Sequence, residues 1–261
     1  SVKGVDNFLR SSSTAIANTS NATLISFDSD GVTLTDYGDV NSSDTFVGRY
    51  WKAGGAPTAD NSAGAGATPT AGSVKIDGSN LGSALAGSIA ATRLSANTTA
   101  GFSIVKYTGN DVAGATVAHG LGVAPQLVLI KNLTNAQSWA VTSPALGTTG
   151  DTTGGLDEYY MLALNTDAAK ADYSQDNIFG FTSTTFSVGS TGSMNEVNNS
   201  SYSYIAYVFL NIEGYSKAGM YTANNNADGP FVYTGFKPAF VMIKALDVAN
   251  PVSYTHLTLP T

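Results

Sequence analysis

Gly101 to Lys131 returns near the end of the chain as Gly214 to Lys244, and this recurrence constrains the fold more than any single motif does. With one inserted residue, Gly-Phe-Ser-Ile-Val-Lys-Tyr107-Thr-Gly-Asn aligns with Gly-Tyr-Ser-Lys-Ala-Gly-Met-Tyr221-Thr-Ala-Asn, and Pro125-Gln-Leu-Val-Leu-Ile-Lys131 aligns with Pro238-Ala-Phe-Val-Met-Ile-Lys244. The period is 113 residues, from Lys131 to Lys244. Solenoid repeats are roughly 20–50 residues long, so a unit of this size is a whole module. A second match carries an offset of 154 residues at Phe27 and Phe181, which widens to 158 by Phe46 and Tyr204. Phe27-Asp-Ser-Asp-Gly-Val-Thr-Leu34 reads like Phe181-Thr-Ser-Thr-Thr-Phe-Ser-Val188, each is followed by Val-Asn, and Phe46-Val-Gly-Arg-Tyr-Trp51 then pairs with Tyr204-Ile-Ala-Tyr-Val-Phe209. The expected organisation is the end of one module over residues 1–55, a linker over 56–100, a complete module over 101–213 and the start of a third over 214–251.

Residues 252–261 break the pattern. Val252-Ser-Tyr-Thr-His-Leu-Thr-Leu-Pro-Thr261 is what translation of the transposon end and adapter of a sequencing library yields, so it is set aside from fold reasoning as a scar would be. With no initiating Met at Ser1, the chain reads as a fragment assembled from environmental DNA.

Charged residues make up only 12% of the chain, about half the usual share, so its surface must be hydrated by hydroxyls and amides. Gly, Ser, Thr, Asn and Tyr are abundant, and Thr, Tyr and Phe suit pleated, half-buried strands. The net charge of −7 and the lack of clustered Lys and Arg argue against nucleic-acid binding. No apolar run is long enough to span a membrane. Without cysteine there are no disulfides, thiolate metal sites or cysteine nucleophile.

Within the complete module, Phe102–Tyr107, Gln126–Lys131, Ser138–Val141, Tyr159–Leu164, Ile178–Thr182, Phe186–Val188 and Tyr202–Leu210 read as short strands divided by turn chemistry. This spacing predicts an all-β fold of antiparallel sandwich modules, jelly-roll or concanavalin-like, in tandem. Ser203–Leu210 is apolar on both faces and is the expected central strand. Thr166–Asp172 is faintly helical or a loop. Ala53–Ala100 holds few large apolar groups and is expected as an extended spacer, although Val74–Leu94 interleaves small and apolar residues as a packing segment would.

Each chemical motif has a structural reading beside the functional one. Asp28-Ser-Asp-Gly31 opens like a calcium loop but lacks a closing Glu, and its counterpart is Thr182-Ser-Thr-Thr185, so a turn is expected and no metal. His119 could serve a hydrolase with Ser143 and Asp151, yet no nucleophile elbow is present and its counterpart falls near Val232 or Tyr233. Gly120-Leu-Gly122 precedes a strand, which makes it a turn and not a dinucleotide fingerprint. Asp157 and Glu158 are adjacent, so on a strand they point to opposite faces and cannot flank one glycosidic bond. No catalytic residue and no cofactor is expected. The thirteen tyrosines and two tryptophans suit recognition, in which flat rings lie on sugars while amides and hydroxyls meet sugar hydroxyls. Trp139, Tyr159 and Tyr160 are the candidate ligand-binding residues, against the alternative that such rings fill the core.

Tyr107-Thr-Gly-Asn, His119-Gly-Leu-Gly-Val-Ala-Pro125, Tyr204-Ile-Ala-Tyr207, Glu213-Gly-Tyr-Ser-Lys217 and Asp228-Gly-Pro-Phe-Val-Tyr-Thr-Gly-Phe-Lys-Pro-Ala-Phe-Val-Met-Ile-Lys244 resemble a tandem β-sandwich module of tail-fibre and structural proteins of marine tailed bacteriophages. The resemblance implies a virion location, contact with host-surface carbohydrate or with other virion proteins or further copies of the chain, and no enzymatic activity. Where many relatives carry Cys, this chain has Val208. The expectation is a non-enzymatic fibre presenting lectin-like modules for weak multivalent attachment. The alternatives are a purely structural spacer of the virion, a bacterial surface adhesin, or a polysaccharide-degrading domain with two opposed acids.

Overall fold

The structure, a computed structural model, describes residues 8–17, 24–36, 38, 40–46, 48–146, 160–172, 180–189, 197–249 and 253–256. Among these the chain is all-β, with strands, turns and one short 3-10 turn at Pro144–Leu146. The main body is a nine-stranded sheet. Its central strand is β13 (Ser203–Phe209), flanked by β6 (Phe102–Thr108) and β8 (Leu127–Asn132) in antiparallel register. Beyond β8 lie β9 (Ala140–Thr142), β10 (Tyr160–Ala163) and β11 (Ala171–Asp172); beyond β6 lie β5 (Ala91–Asn97), β3 (Val74–Ile76) and β4 (Ser79–Asn80). The expected central strand is central, and Thr166–Asp172 is a loop that ends in β11.

Alternation sorts the side chains of the sheet onto two faces. The inner face carries Leu94, Val105, Tyr107, Ile130, Tyr204 and Val208 in one buried cluster. That cluster is closed by Val117, Phe186 and Val188 from a separate pair, β7 (Ala115–Ala118) and β12 (Thr185–Val188). Tyr107 and Tyr204 stack with ring centroids 5.2 Å apart, and Phe186 meets Tyr107 edge-on at 6.3 Å. Buried phenols need partners. The Tyr107 hydroxyl donates to the Val197 carbonyl (2.7 Å), and the Tyr204 hydroxyl accepts the Asn199 amide (2.8 Å). Asn198 then clamps the Gly109–Val112 turn, accepting from Asn110 N–H and donating to the Val112 carbonyl, both at 3.0 Å.

The spacer expected over 56–100 is corrected by these pairings. β5 is a full strand of the sheet, antiparallel to β6 and parallel to β3, so the boundary placed between residues 100 and 101 cuts a hairpin. Val74, Leu85, Ile89 and Leu94 are buried in the main cluster. Small residues order the rest by letting backbones approach closely. Gly54 lies so near β5 that a Cβ there would fall 1.9 Å from the Ala96 carbonyl oxygen. Asn61 bonds Ala91, Ala63 and Thr70 backbone groups, and Asp77 takes both the amide and the hydroxyl of Thr98. These side-chain bonds satisfy backbone that apolar content alone would not hold.

Backbone geometry repeats at the offsets found in the sequence. β14 (Phe240–Ile243) and β15 (Ser253–His256) pair Val241 with Thr255, Met242 with Tyr254 and Ile243 with Ser253. β8 and β9 pair Val128 with Thr142, Leu129 with Val141 and Ile130 with Ala140, the same register 113 residues earlier. The residues set aside as an adapter scar thus include a strand in the place of β9. Left-handed φ angles recur at Gly101 and Gly214, Asp111 and Asn225, and Gly122 and Gly235. At the other offset, β1 (Leu24–Phe27) and β2 (Val32–Leu34) pair Phe27 with Val32, as Phe181 bridges Phe186. Asp28 N–H donates to the Gly31 carbonyl at 2.9 Å, and Thr182 N–H to that of Thr185 at 2.9 Å.

Candidate functional site

Trp139 sits immediately before β9, and its ring is covered, with 6% of the residue exposed. The indole stacks on Tyr207 with centroids 6.0 Å apart, and its N–H donates to the Arg10 carbonyl at 2.9 Å. The Trp139 amide donates to Asn165 Oδ1 (2.7 Å), and its carbonyl accepts Leu164 N–H (3.0 Å). Tyr207 is half-buried under the same cover, and desolvation pushes its hydroxyl pKa up to about 12. A sugar cannot reach this ring.

Tyr160 opens β10 near the sheet edge and is half-buried against the small cluster of Val141, Leu146 and Leu162. The Lys170 ammonium lies 4.5 Å from the centre of its ring and 3.4 Å from Asp247 Oδ1. A ligand stacking on that side of Tyr160 must displace the cation. Tyr159, Asp151, Asp157 and Glu158 lie outside the described residues. Trp139, being buried, therefore shares no open platform with Tyr160, the other candidate ring among the described residues.

The other motifs resolve into structure. Asp28 accepts from the Ser26 hydroxyl (2.6 Å) and the Thr33 hydroxyl (2.8 Å), which hold its carboxyl below the usual range and secure a turn. Thr182 Oγ1 does the equivalent work in the other copy, accepting Thr184 and Thr185 amides. Among the described residues no three His, Asp or Glu side chains gather where an ion could be held. Gly120 and Gly122 both take left-handed φ in a turn leading to β8. Ser143 donates to the Gln126 carbonyl (2.6 Å) and accepts the Ala145 amide, as the cap of the 3-10 turn.

His119 is fully buried. Its Nδ1 accepts Leu121 N–H at 3.1 Å, so Nε2 carries the proton and donates to the Thr182 carbonyl at 3.1 Å. A second proton on Nδ1 would break the bond to Leu121. Burial accordingly holds the imidazole below its usual value of 6.5, with the Thr182 bond opposing. Because the folded pKa is lowered, the unfolded chain binds the proton first as pH falls. The stability His119 contributes is complete above the unfolded value and is lost below it. Thermal melts between about pH 7 and pH 5 should show a fall in Tm that His119→Gln reduces. An unchanged slope would contradict this assignment.

Sequence reasoning missed a set of exposed rings. Tyr215 is 55% exposed where its counterpart Phe102 is 4% exposed, and Tyr221 is 43% exposed where Tyr107 is wholly buried. Phe46 is likewise exposed where Tyr204 is buried. The two offsets were the signal that could have found them, since each ring aligns with a core position.

A domain of unknown function, DUF7483, matches residues 75–255. The chain belongs to this family. The DUF7483 match starts inside β3 and ends inside β15, so it runs through the boundaries expected at residues 100/101 and 213/214 and four residues into the set-aside tail. No curated protein and no solved structure matches the chain.

Proposed function

We propose that this chain is a stretch of a non-enzymatic, tail-fibre-like protein of a tailed-phage virion, in which tandem β-sandwich modules set length and stiffness. The observation that carries the reading is recurrent backbone geometry outside the set-aside tail: left-handed φ at Gly101 and Gly214, Asp111 and Asn225, and Gly122 and Gly235, and the Phe27–Val32 pairing repeated as Phe181–Phe186. What recurs between copies is strand pairing and turn geometry, while His119 and the Asp28 carboxyl do not recur. A scaffold role requires the former and makes no demand on the latter. Recovery of the gene with its neighbours tests the reading. Tail and capsid genes alongside are the expected result; an operon of cellular metabolism, or a secretion signal with a cell-wall anchor, would overturn it in favour of a different role or a bacterial adhesin.

A second reading, weak multivalent attachment to host-surface glycans, is favoured by Tyr160, a half-buried ring beside the Lys170 ammonium. That pair suits an acidic sugar, whose carboxylate would take the place of Asp247 at the cation. Tethering in series would raise the avidity of such a weak site. A glycan array probed with the full chain decides it, with binding to anionic glycans lost in Tyr160→Ala as the expected outcome and no binding at all as the contrary one.

A further inference from the structure

We propose that the module pairs face to face with a second copy of itself, through the outer face of its large sheet. The inference rests on the tandem-module reading, because the second copy is represented here by two partial pieces whose core rings Phe46, Tyr215 and Tyr221 stay exposed. Residues 8–51 align with the last part of the complete module and residues 214–249 with its first part. These two pieces touch. Arg49 lies over the Phe240 ring at 4.4 Å, and their counterparts are Tyr207 and Leu127. In the complete module Tyr207 pairs with Leu129 and Phe209 with Leu127, so the pieces meet through the positions that join β13 to β8.

The contacts between this composite copy and the complete one are reciprocal. Lys131 at the end of β8 donates to the Thr14 carbonyl at 3.0 Å, and its counterpart Lys244 donates to the Thr166 carbonyl at 3.1 Å. Thr166 is two residues from position 168, where the 154-residue offset places Thr14. Between them Trp51 meets Phe209 edge-on at 6.1 Å, and these two residues occupy the same position in the alignment. A position that touches its own counterpart lies at a two-fold axis, and exchange of the same contacts across it defines an isologous interface. A head-to-tail stack would also set each lysine on the preceding copy. Trp51 reaches Phe209 in either arrangement, because Gly54 three residues on is held against Ala96, but a head-to-tail stack would not bring Arg49 of the first piece to Phe240 of the last.

Chemistry makes the contact specific. Lys131 is wholly buried, and its three N–H groups are matched to three carbonyls: Thr14, Asn132 at 3.0 Å and Gln137 at 2.9 Å. Without the partner segment one donor of a buried cation loses its acceptor.

Limited trypsin digestion of the full chain tests the proposal, because each docked segment carries a cleavage site, Arg10 on one side and Lys170 on the other. Trp51→Ala, at the axis, should speed cleavage after both residues together by about tenfold. Lys131→Met and Lys244→Met should each do the same at both sites, since the interface opens as a unit. Arg93 and Lys106, within β5 and β6, report on the fold and should stay protected. If Lys131→Met exposes those sites, the decision passes to Trp51→Ala and Lys244→Met, which lie outside residues 101–213. Release of only the nearer site by each lysine variant, or wild-type rates in Trp51→Ala, would overturn two-fold pairing. Genomic context bears on the virion reading and leaves this result untouched.

Discussion

Phe186→Ala is expected to cost about 3–5 kcal/mol of stability, as the loss of a fully buried ring does when the surrounding core closes only partly. Phe186 has no solvent exposure and comes from β12, which with β7 covers the inner face of the sheet. Its ring meets Tyr107 edge-on, and Tyr107 in turn stacks on Tyr204 of the central strand. Truncation leaves a cavity against two tyrosines whose hydroxyls are already fixed by backbone partners, so neither ring is free to fill it. Domains of this size are stable by only about 5–15 kcal/mol, so the loss removes a large part of the total. Urea denaturation should show a large drop in midpoint with the slope preserved. A change under about 1 kcal/mol would mean that β7 and β12 do not close the core as described.

Gly54→Ala should cost about 3 kcal/mol, at the upper end of the usual range for overpacking. The added Cβ would meet the Ala96 carbonyl oxygen, a backbone atom that cannot step aside without disturbing β5. Gly54 also accepts the Gly78 amide at 2.8 Å, and the neighbouring Gly55 carbonyl accepts the Ser95 hydroxyl at 2.6 Å. The layer formed by residues 53–80 should therefore open locally, while the tyrosine core stays closed. Amide exchange reads this directly, with Gly78 losing protection and Val105 and Ala206 keeping theirs. Equal exchange in the variant and the parent would restore the spacer reading for that segment.

How far the sequence speaks depends on the sequence separation of the partners. Strands β6, β8, β12 and β13 were legible because branched and aromatic residues alternate with turn signals, and the doubly apolar Ser203–Leu210 run marked the centre of the sheet. β5 was not, since Ala91-Thr-Arg-Leu-Ser-Ala-Asn97 carries a single large aliphatic residue and is held by pairing on both sides. Ala115-Thr-Val-Ala118 was missed for the same reason. Trp139 illustrates the limit for a candidate site. An indole in a hydroxyl-rich chain reads as a sugar platform, but what decides its exposure is the Arg10 carbonyl 129 residues away. His119 lies just after β7. Its lowered proton affinity comes from burial, against the opposing bond to the Thr182 carbonyl, and nothing local announces that burial.

The most direct test of the account is amide exchange on a chain in which residue 249 is followed by residues 137–213 of the complete copy. If 214–249 is the first part of a module, the added segment supplies its missing strands. Residues 215–245 should then reach the protection of residues 102–132, with Tyr215 and Tyr221 passing from exposed to buried. Exchange over 215–245 that stays as fast as in the parent chain would contradict the tandem-module account.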